Sequence, residues 1–429
     1  MIIMKKHLFV LLLMGACVSA TLQAQNTSQE NTFGLSAQIR TRGEYRNGMI
    51  SPRDEGKKPA SFINSRARLS MGYQRDNLEI KFSTQHVGVW GQDPQIDKNG
   101  RFILHEAWAK LRLGNGFFTQ LGRQDLVYDD DRILGSLDWN VAGRYHDALK
   151  FGYEDRNRKL HLILAFNQND EKIIGGTYYA PGAQPYKNMQ TLWYHYTGSQ
   201  TPFNISLLFM NLGFETGDAT EKKSDTKYLQ TFGTYMTYAP SVWDLSGTFY
   251  YQSGKNKASQ SVSGFMASIT AGYKINDSWK ISLGSDYMSG ENGKGDKYNA
   301  FDPLYGTHHK FYGTMDYFYA SSFTSGHAPG LWDNYIDLHF KPSPEINMGL
   351  TGHYFNTAAK LEDLNRSLGT ELDYQLNWKI MKDATLTFGY SVMFGTKTMD
   401  AVKGGNHKSW QDWGWISLNL TPKLFSAKW

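Results

Sequence analysis

Residues 122–151, GRQDLVYDDDRILGSLDWNVAGRYHDALKF, carry charged side chains of both signs close together. Guanidiniums and carboxylates at this density could perform acid–base chemistry, hold a metal ion or line a water-filled cavity. A dry core is excluded, because each unpaired buried charge would cost several kcal/mol. A wet cavity fits best, since opposite charges can pair there while aromatic side chains pack between them. The candidate contact residues are Arg123, Arg132 and Arg144, with Asp125, Asp138 and Asp147 as their expected partners.

A second group of basic residues lies closer to the amino terminus, at alternate positions of four segments. Arginine predominates, and its planar guanidinium can hold a carboxylate through two parallel hydrogen bonds. Rings of basic side chains select anions in pores. We therefore predict an arginine-lined track for an anionic solute, although a charge ladder that only stiffens a pore wall is an alternative. The basic residues are Arg40, Arg42, Arg46, Arg66, Arg68, Lys81, Lys110 and Arg112, and the acids expected to fix their rotamers are Glu44, Glu79 and Glu106.

The 122–151 stretch has other interpretations. It could be a loop tucked into a lumen and pinned by salt bridges, serving stability or gating. Asp129, Asp130 and Asp131 could bind Ca²⁺, but they lack the spacing of an EF-hand. His308 and His309 are an adjacent pair on a later loop, which is not a metal-binding motif. We expect no metal and no cofactor.

The segments that carry these residues alternate apolar and polar side chains. In residues 33–46, FGLSAQIRTRGEYR, the alternation continues beyond the ~9–11 residues that a membrane-spanning strand needs. The same pattern recurs along the chain and predicts an all-β fold, a transmembrane antiparallel up-and-down β-barrel of about 18 strands. The predicted strands are 33–46, 63–74, 78–85, 106–113, 117–124, 146–153, 159–167, 189–197, 203–212, 228–238, 243–252, 262–273, 279–288, 331–340, 346–355, 369–380, 384–394 and 409–422.

The connections between these strands differ in length. Short ones such as 239–241, 274–278 and 382–383 are predicted to be periplasmic turns. Tryptophans near strand ends are expected in the interfacial girdle, with sugar stacking as the alternative. The carboxy-terminal Trp429 follows alternating apolar residues, which resembles the signal read by the barrel assembly machinery. The long connections, predicted to be extracellular or folded into the lumen, are 47–61, 86–101, 168–188, 213–227, 289–330 and 395–408, and the tryptophans are Trp193, Trp243, Trp279 and Trp378.

The composition supports a barrel and argues against other classes. The chain has 429 residues, and its 26 Tyr, 24 Phe, 12 Trp and 42 Gly favour many strands joined by tight turns. A mean hydropathy of −0.51 without a second long apolar run excludes a multi-helix membrane protein. A net charge of +5 without basic blocks gives no indication of nucleic-acid binding. Residues 1–24, which include the only cysteine, Cys17, are predicted to be a signal peptide, and 25–429 a single barrel domain.

Two segments resemble the bacterial alginate-export family, outer-membrane barrels that carry an anionic polysaccharide. The first is 122–151 and the second is 301–309, FDPLYGTHH, followed by Gly313 and Asp316. The turn at 129–131 is more acidic than the family pattern, which tends to have a glycine there. The resemblance implies the fold and the outer-membrane location, but the substrate does not transfer with the fold. The matching positions in the first segment are Gly122, Arg123, Gln124, Arg132, Leu134, Trp139, Arg144 and Asp147.

We therefore expect a passive channel in the bacterial outer membrane, in contact with membrane lipids, that moves an anionic polysaccharide or small anionic solute. The alternative is a general or differently selective porin. An alternative of another class is an enzyme or adhesin anchored by the barrel. Enzyme chemistry has little support, because the chain has no G-x-S-x-G, H-E-x-x-H, P-loop or dinucleotide-binding motif.

Overall fold

The computed structural model of the protein describes residues 30–92, 102–168, 171, 186–218, 223–321, 323 and 327–429. The predicted signal peptide, 1–24, lies outside these residues, as do parts of the predicted loops 86–101 and 168–188. The strands are β1 (Thr32–Asn47), β2 (Ala60–Arg75), β3 (Leu78–Val89), β4 (Phe102–Gly114), β5 (Phe117–Gln124), β6 (His146–Glu154), β7 (Arg158–Phe166), β8 (Asn188–Thr197), β9 (Phe203–Asp218), β10 (Lys223–Tyr238), β11 (Trp243–Lys255), β12 (Ser261–Lys274), β13 (Trp279–Met288), β14 (Leu331–Phe340), β15 (Ile346–Asn356), β16 (Ser367–Met381), β17 (Ala384–Gly395), β18 (Gln411–Leu420) and β19 (Lys423–Lys428).

These strands form one closed antiparallel barrel. From β1 to β18 each strand pairs with the next along the chain, and β1 closes the ring by pairing with β2 on one side and with β18 and β19 on the other. β18 and β19 are two parts of one barrel strand, interrupted at Pro422, whose nitrogen cannot donate to the ladder. The carbonyl of Pro422 still accepts from Ala37 N at 3.1 Å. The barrel therefore has 18 strands around its circumference, as predicted.

The two faces of the wall have opposite polarity. On β1 the side chain of Ile39 is 53% exposed on the outer face, whereas the neighbouring Arg40 and Arg42 point inward and are buried. Exposed apolar side chains recur on the outer face of other strands, including Leu121, Leu207 and Leu283. Since consecutive strand residues point to opposite faces, an apolar outer band and a polar lumen follow directly from the alternating sequence.

The connections separate into two ends. Turns of two to five residues join the strands at one end, for example 76–77 between β2 and β3 and 382–383 between β16 and β17. Most of the connections at the other end are longer, including 125–145, 289–330 and 396–410. The predicted long loop at 213–227 is wrong, because β9 and β10 keep pairing up to Asp218 and Lys223.

Helical structure is confined to the connections. A 3₁₀ turn spans His308–Lys310, and helix α1 spans Lys397–Lys403, with the side chain of Thr396 accepting from Met399 N at its amino end. None of the helices in the described parts of the chain has the length and apolar character needed to cross a membrane.

One tryptophan predicted for the girdle lies inside the barrel. Trp193 is only 7% exposed, and its indole nitrogen donates to Asp129 Oδ1 at 3.0 Å. The girdle prediction was wrong for Trp193 because Met189, Thr191 and Trp193 share the inner face of β8, while Leu192 is exposed on the outer face. Trp243 and Trp378 are exposed at the short-turn end.

Candidate functional site

Two long connections fold together inside the barrel. Loop A (125–145) joins β5 to β6, and loop B, by which we mean 289–321, 323 and 327–330, lies between β13 and β14. They form a parallel bridge in which Gly135 N donates to Tyr305 O at 3.0 Å and Tyr305 N donates to Ile133 O at 3.1 Å. The two segments that resemble the alginate-export family are therefore neighbours in space.

Loop A lies against the basic wall, which we define as the inward-facing Lys and Arg side chains of β1–β4. Backbone carbonyl groups of loop A accept hydrogen bonds from three of these arginines. Arg40 Nη1 donates to Asp138 O at 2.7 Å, and Arg42 Nη1 donates to Trp139 O at 3.1 Å. Arg66 Nε donates to Val141 O at 2.6 Å and its Nη2 to Asn140 O at 2.7 Å.

Only one carboxylate of loop A contacts these arginines. Asp138 Oδ2 lies 3.2 Å from Arg40 Nη1, and its Oδ1 lies 2.5 Å from Arg66 Nη1. The Asp138 side chain is 55% exposed, so it faces open space beside the wall. Arg68 bonds Gln85 Oε1 at 2.9 Å, and Gln85 Nε2 donates to Ala142 O. A backbone carbonyl binds a guanidinium without neutralising it, so these loop contacts leave the positive charge of the arginines in place.

The three predicted glutamates occupy the same wall. Glu44 is buried and lies 2.9 Å from both Arg42 Nε and Arg46 Nη2. It also accepts from Asn64 Nδ2 and Trp413 Nε1.

The other two glutamates lie nearer the short-turn end. Glu79 pairs with Arg112 at 2.8 Å. Glu106 pairs with Lys81 at 2.7 Å and accepts from Trp108 Nε1, so it positions a lysine and not the predicted arginine. Lys110 lies 3.8 Å above the ring of Phe118. Lys81 and Arg112 keep 41% and 37% of their side chains exposed, so they remain accessible in the lumen.

Arg132 of loop A lies at a different part of the barrel wall. Its two terminal nitrogens bind the two carboxylate oxygens of Asp286 on β13 at 2.8 and 3.0 Å, and its Nε binds Asp130. Burial by itself would lower the pKa of Arg132, but the Asp286 carboxylate more than offsets this and raises it. The expectation that Asp125, Asp138 or Asp147 pairs with Arg132 is therefore wrong.

Arg144 and Asp125 are also without the predicted partners. Arg144 donates to the backbone carbonyls of Tyr305 and Gly306 in loop B, and burial lowers its pKa to about 10. Asp125 lies 3.6 Å from His105 Nε2. Burial, followed by the nearby Glu106 carboxylate, raises the pKa of Asp125 to about 7.

Arg123 does pair with Asp147, but the pair does not line the lumen. The two residues lie opposite each other on β5 and β6, with Arg123 Nε 2.8 Å from Asp147 Oδ1. Arg123 shares its face of β5 with Phe117 and Leu121, which are both exposed on the outside of the barrel. The strand alternation thus places this pair on the outer face near the long-loop end.

The three consecutive aspartates of loop A point to separate partners. Asp129 accepts from Trp193 and Tyr250, Asp130 binds Arg132, and Asp131 binds Lys310 at 3.1 Å. Across the described residues no group of three or more His, Cys, Asp or Glu side chains could hold a metal ion. The arrangement of these aspartates is that of anchors for the loop.

An acidic wall, which was not predicted, is separated from the basic wall by β17 and β18. We define it as the inward-facing carboxylates Asp286, Asp333, Asp337, Glu371 and Asp373 of β13–β16. His353 bridges two of them, with Nδ1 2.9 Å from Asp333 and Nε2 3.6 Å from Asp373. Asp286 pairs with Arg132, but the other four carboxylates have no Lys or Arg partner among the residues that the structure describes. The sequence pattern could have revealed this wall, because Asp333 and Asp337 alternate with the outward-facing Trp332 and Ile336.

An aromatic cluster separates the two walls. Trp139 of loop A stacks on His309 of loop B at 3.9 Å between centroids and contacts Trp413 and Trp415 of β18 edge-on. The guanidinium of Arg42 lies 3.8 Å above the Trp139 ring. The loops are thus fixed at the seam where β18 meets β1.

A closed barrel with an apolar exterior, a charged interior and two loops folded inward is the architecture of an outer-membrane channel. The Alginate export family model matches residues 32–409. The chain belongs to this family, and the protein is located in the bacterial outer membrane.

Solved porin structures share the fold at low sequence identity. Acinetobacter baumannii OccAB4 aligns with a TM-score of 0.60 at 13% identity, covering 93% of this chain and 99% of that one. Pseudomonas aeruginosa OccK2 gives 0.61 at 14% identity, covering 91% and 98%. A BenF-like porin from Pseudomonas fluorescens Pf-5 gives 0.60 at 11%, covering 91% and 99%. No curated protein sequence matches the chain significantly.

Proposed function

We propose that this channel lets anionic saccharides or small anions diffuse passively through the lumen along its basic wall, without enzymatic activity. The observation that carries the proposal is the set of contacts made by Arg40, Arg42 and Arg66. Arg40 and Arg66 donate mainly to neutral carbonyl oxygens of loop A, with Asp138 as the one loop carboxylate. Arg42 donates to the carbonyl of Trp139 and also pairs with Glu44. These arginines are buried behind loop A, so their fixed positive charge acts on an anion in the lumen through its field and not by direct contact.

The remaining basic side chains extend this charge toward the short-turn end of the barrel. Lys81 and Arg112 are partly exposed, and each has a single carboxylate partner. A carboxylated solute could therefore exchange from one basic group to the next with modest affinity at each. Weak, repeated binding of this kind is what conduction requires.

A differently selective porin is the second candidate, and the acidic wall favours it. Four carboxylates without a Lys or Arg partner in the described parts of the chain oppose the basic wall and attract cations. If their field dominated at the narrowest point, the channel would pass cations or discriminate little. The proposed function thus requires that mobile ions pass closer to the basic wall.

Two measurements on the purified protein test this proposal. In a planar bilayer under a KCl gradient, the zero-current potential should show preference for chloride. In liposome swelling, glucuronate should enter faster than glucose. Glucuronate is a suitable probe because one structure of P. aeruginosa OccK2, which shares the fold at 13% identity, is a complex with it. Cation preference would overturn the proposal, and equal rates would favour the second candidate. Recognition by the barrel assembly machinery stays a prediction.

A further inference from the structure

A cavity of about 210 Å³ lies against the acidic wall below the two loops. Two rows of inward-facing residues form its wall, each crossing the sheet from β14 to β18 in direct register. Neither row includes a Lys or Arg side chain. The row closer to the loops is Asp337, Thr351, Asp373, Ser391 and Trp413, and the next row toward the short-turn end is His339, Gly349, Gln375, Gly389 and Trp415.

The cavity exists because the second row contains two glycines. A methyl group on Gly389 would lie 2.2 Å from Trp415 Nε1, so the indole ring lies over that glycine. A methyl group on Gly349 would have only His339 Nδ1 nearby, at 3.8 Å. The space above Gly349 is therefore open, with Trp415 at its β18 side and the carboxylates of Asp337 and Asp373 on the side of the loops.

The polar groups around this space are the carboxylates of Asp337 and Asp373, which only accept, together with hydroxyl, amide and imidazole groups that can donate or accept. Asp337 Oδ1 accepts from Thr351 at 2.9 Å, which leaves its second oxygen for another donor. Asn377 and Gln375 lie at the short-turn side of the cavity and contact each other at 3.3 Å. An aromatic surface with a few fixed polar groups is the usual composition of a site for a small organic ligand. A ring with an apolar face and equatorial hydroxyls matches both features.

We propose that this cavity is a subsite for the hydroxylated ring of a saccharide, seated on Trp415 with its hydroxyl groups donating to Asp337 and the neighbouring amides. The inference rests on the proposed function and deepens it, because it assigns recognition of the ring to one wall and of the carboxylate to the other. Trp413 and Trp415 lie opposite Arg46 and Glu44 on the adjacent β1. The basic wall thus begins one strand, about 4.8 Å, from the Trp415 edge of the subsite. A uronate is the solute whose two functional groups fit this arrangement.

The test compares two blockers of single-channel current that carry the same number of carboxylates. Trigalacturonate has sugar rings and citrate has none. Gly349→Leu should fill the cavity without a clash and raise the half-blocking concentration of trigalacturonate about tenfold, with citrate unchanged. Gly72→Leu is the matched control, because Gly72 also faces the lumen, on β2, and has nothing within 4 Å. It should change neither value.

Other variants and a neutral probe separate the possible failures. Asp337→Asn and Trp415→Ala should weaken block by trigalacturonate and spare citrate. The subsite would be overturned if trigalacturonate blocked the Gly349→Leu channel at the same half-blocking concentration as the wild type. It would also be overturned if Gly349→Leu weakened block by trigalacturonate and by citrate equally. If only maltotriose blocks the wild type and Gly349→Leu removes that block, the subsite stands and the anionic function fails. If none of the three probes blocks the wild type, the subsite is overturned.

Discussion

The basic and acidic walls of the lumen hold the same loop by opposite means. On the basic wall, Arg40, Arg42 and Arg66 donate to backbone carbonyls of loop A. On the acidic wall, Asp286 receives the guanidinium of Arg132, which is only 3% exposed. The first contact leaves the wall charged, whereas the second neutralises it and buries the pair. Loop A is therefore fixed at both sides, while fixed charge of opposite sign remains on each wall. The difference shows that arginine can anchor a loop either through neutral backbone carbonyls or through a buried carboxylate.

The largest expected effect is on stability, at the neutralised anchor. Arg132→Ala leaves Asp286 buried without its partner and should reduce the free energy of unfolding by about 3–5 kcal/mol. The measurement is urea unfolding in detergent, followed by tryptophan fluorescence. Arg158→Ala, which removes an exposed pair with Asp155, is the control and should cost less than about 1 kcal/mol. Equal losses for both variants would show that the buried anchor does not hold the barrel interior.

A smaller effect is expected on the basic wall, where Glu44 is the buried carboxylate. Glu44→Gln weakens the contacts to Arg42 and Arg46 and should cost about 1.5–3 kcal/mol, since hydrogen bonds to charged groups contribute this much. The same unfolding experiment measures it. Glu79→Gln removes a partly exposed partner of Arg112 and should change stability by under about 1 kcal/mol. If Glu44→Gln left the free energy of unfolding unchanged, this would contradict the prediction that Glu44 fixes the rotamers of the arginines.

The basic side of the lumen should also respond to pH through Asp125. Its pKa is raised from 3.8 to about 7, mainly by burial, so the folded state keeps a proton that the unfolded state loses. Stability should therefore fall as pH rises from about 4 to about 7.

Ionisation of Asp125 near pH 7 adds a negative charge close to Arg68 and Lys81, so anion preference should decline through this range. Zero-current potentials between pH 6 and 8.5 measure it, and Asp125→Asn should flatten the profile. If the zero-current potential of Asp125→Asn changed with pH as much as that of the wild type, Asp125 would be excluded as the cause of the pH dependence.

The smallest effect concerns Asp138, the loop carboxylate on the basic wall. Asp138→Asn keeps the hydrogen-bonding shape and removes one negative charge from an exposed position. Chloride preference should increase slightly. The stability loss should be smaller than that of Glu44→Gln, because Asp138 is itself exposed and its buried partners Arg40 and Arg66 keep their hydrogen bonds to the carbonyls of loop A. A salt-gradient potential in the planar bilayer measures it. A shift toward cations would contradict the placement of Asp138 beside the ion path.

Strand positions were predictable from the sequence because the pleat has period two. Each of the eighteen predicted strands is present, and the inward positions of Arg40, Arg42, Arg66 and Arg68 follow from alternation with apolar outer residues. The same rule would have placed Trp193 and the acidic wall inside, and Arg123 and Asp147 outside. Those errors arose because residue type or proximity in sequence was given more importance than whether a residue lies at an inward- or outward-facing position of its strand.

Loop contacts were not predictable in this way. Arg132 binds Asp286 across 154 positions of sequence, and Arg66 binds backbone oxygens of 140 and 141. No periodic pattern encodes which part of a loop reaches which strand, because that depends on the closure of the whole barrel. Local charge density in 122–151 indicated a wet interior location but not the pairing.

The comparison of the two walls is tested most directly by neutralising each in turn. One variant replaces Arg40, Arg42, Arg66 and Arg68 with Gln, whose amide can still donate to the carbonyls of loop A. The other carries Asp337→Asn and Asp373→Asn. Zero-current potentials under one KCl gradient should shift toward cation preference in the first variant and toward stronger anion preference in the second. Shifts of the same sign, or a wild-type potential in the arginine variant, would contradict the account.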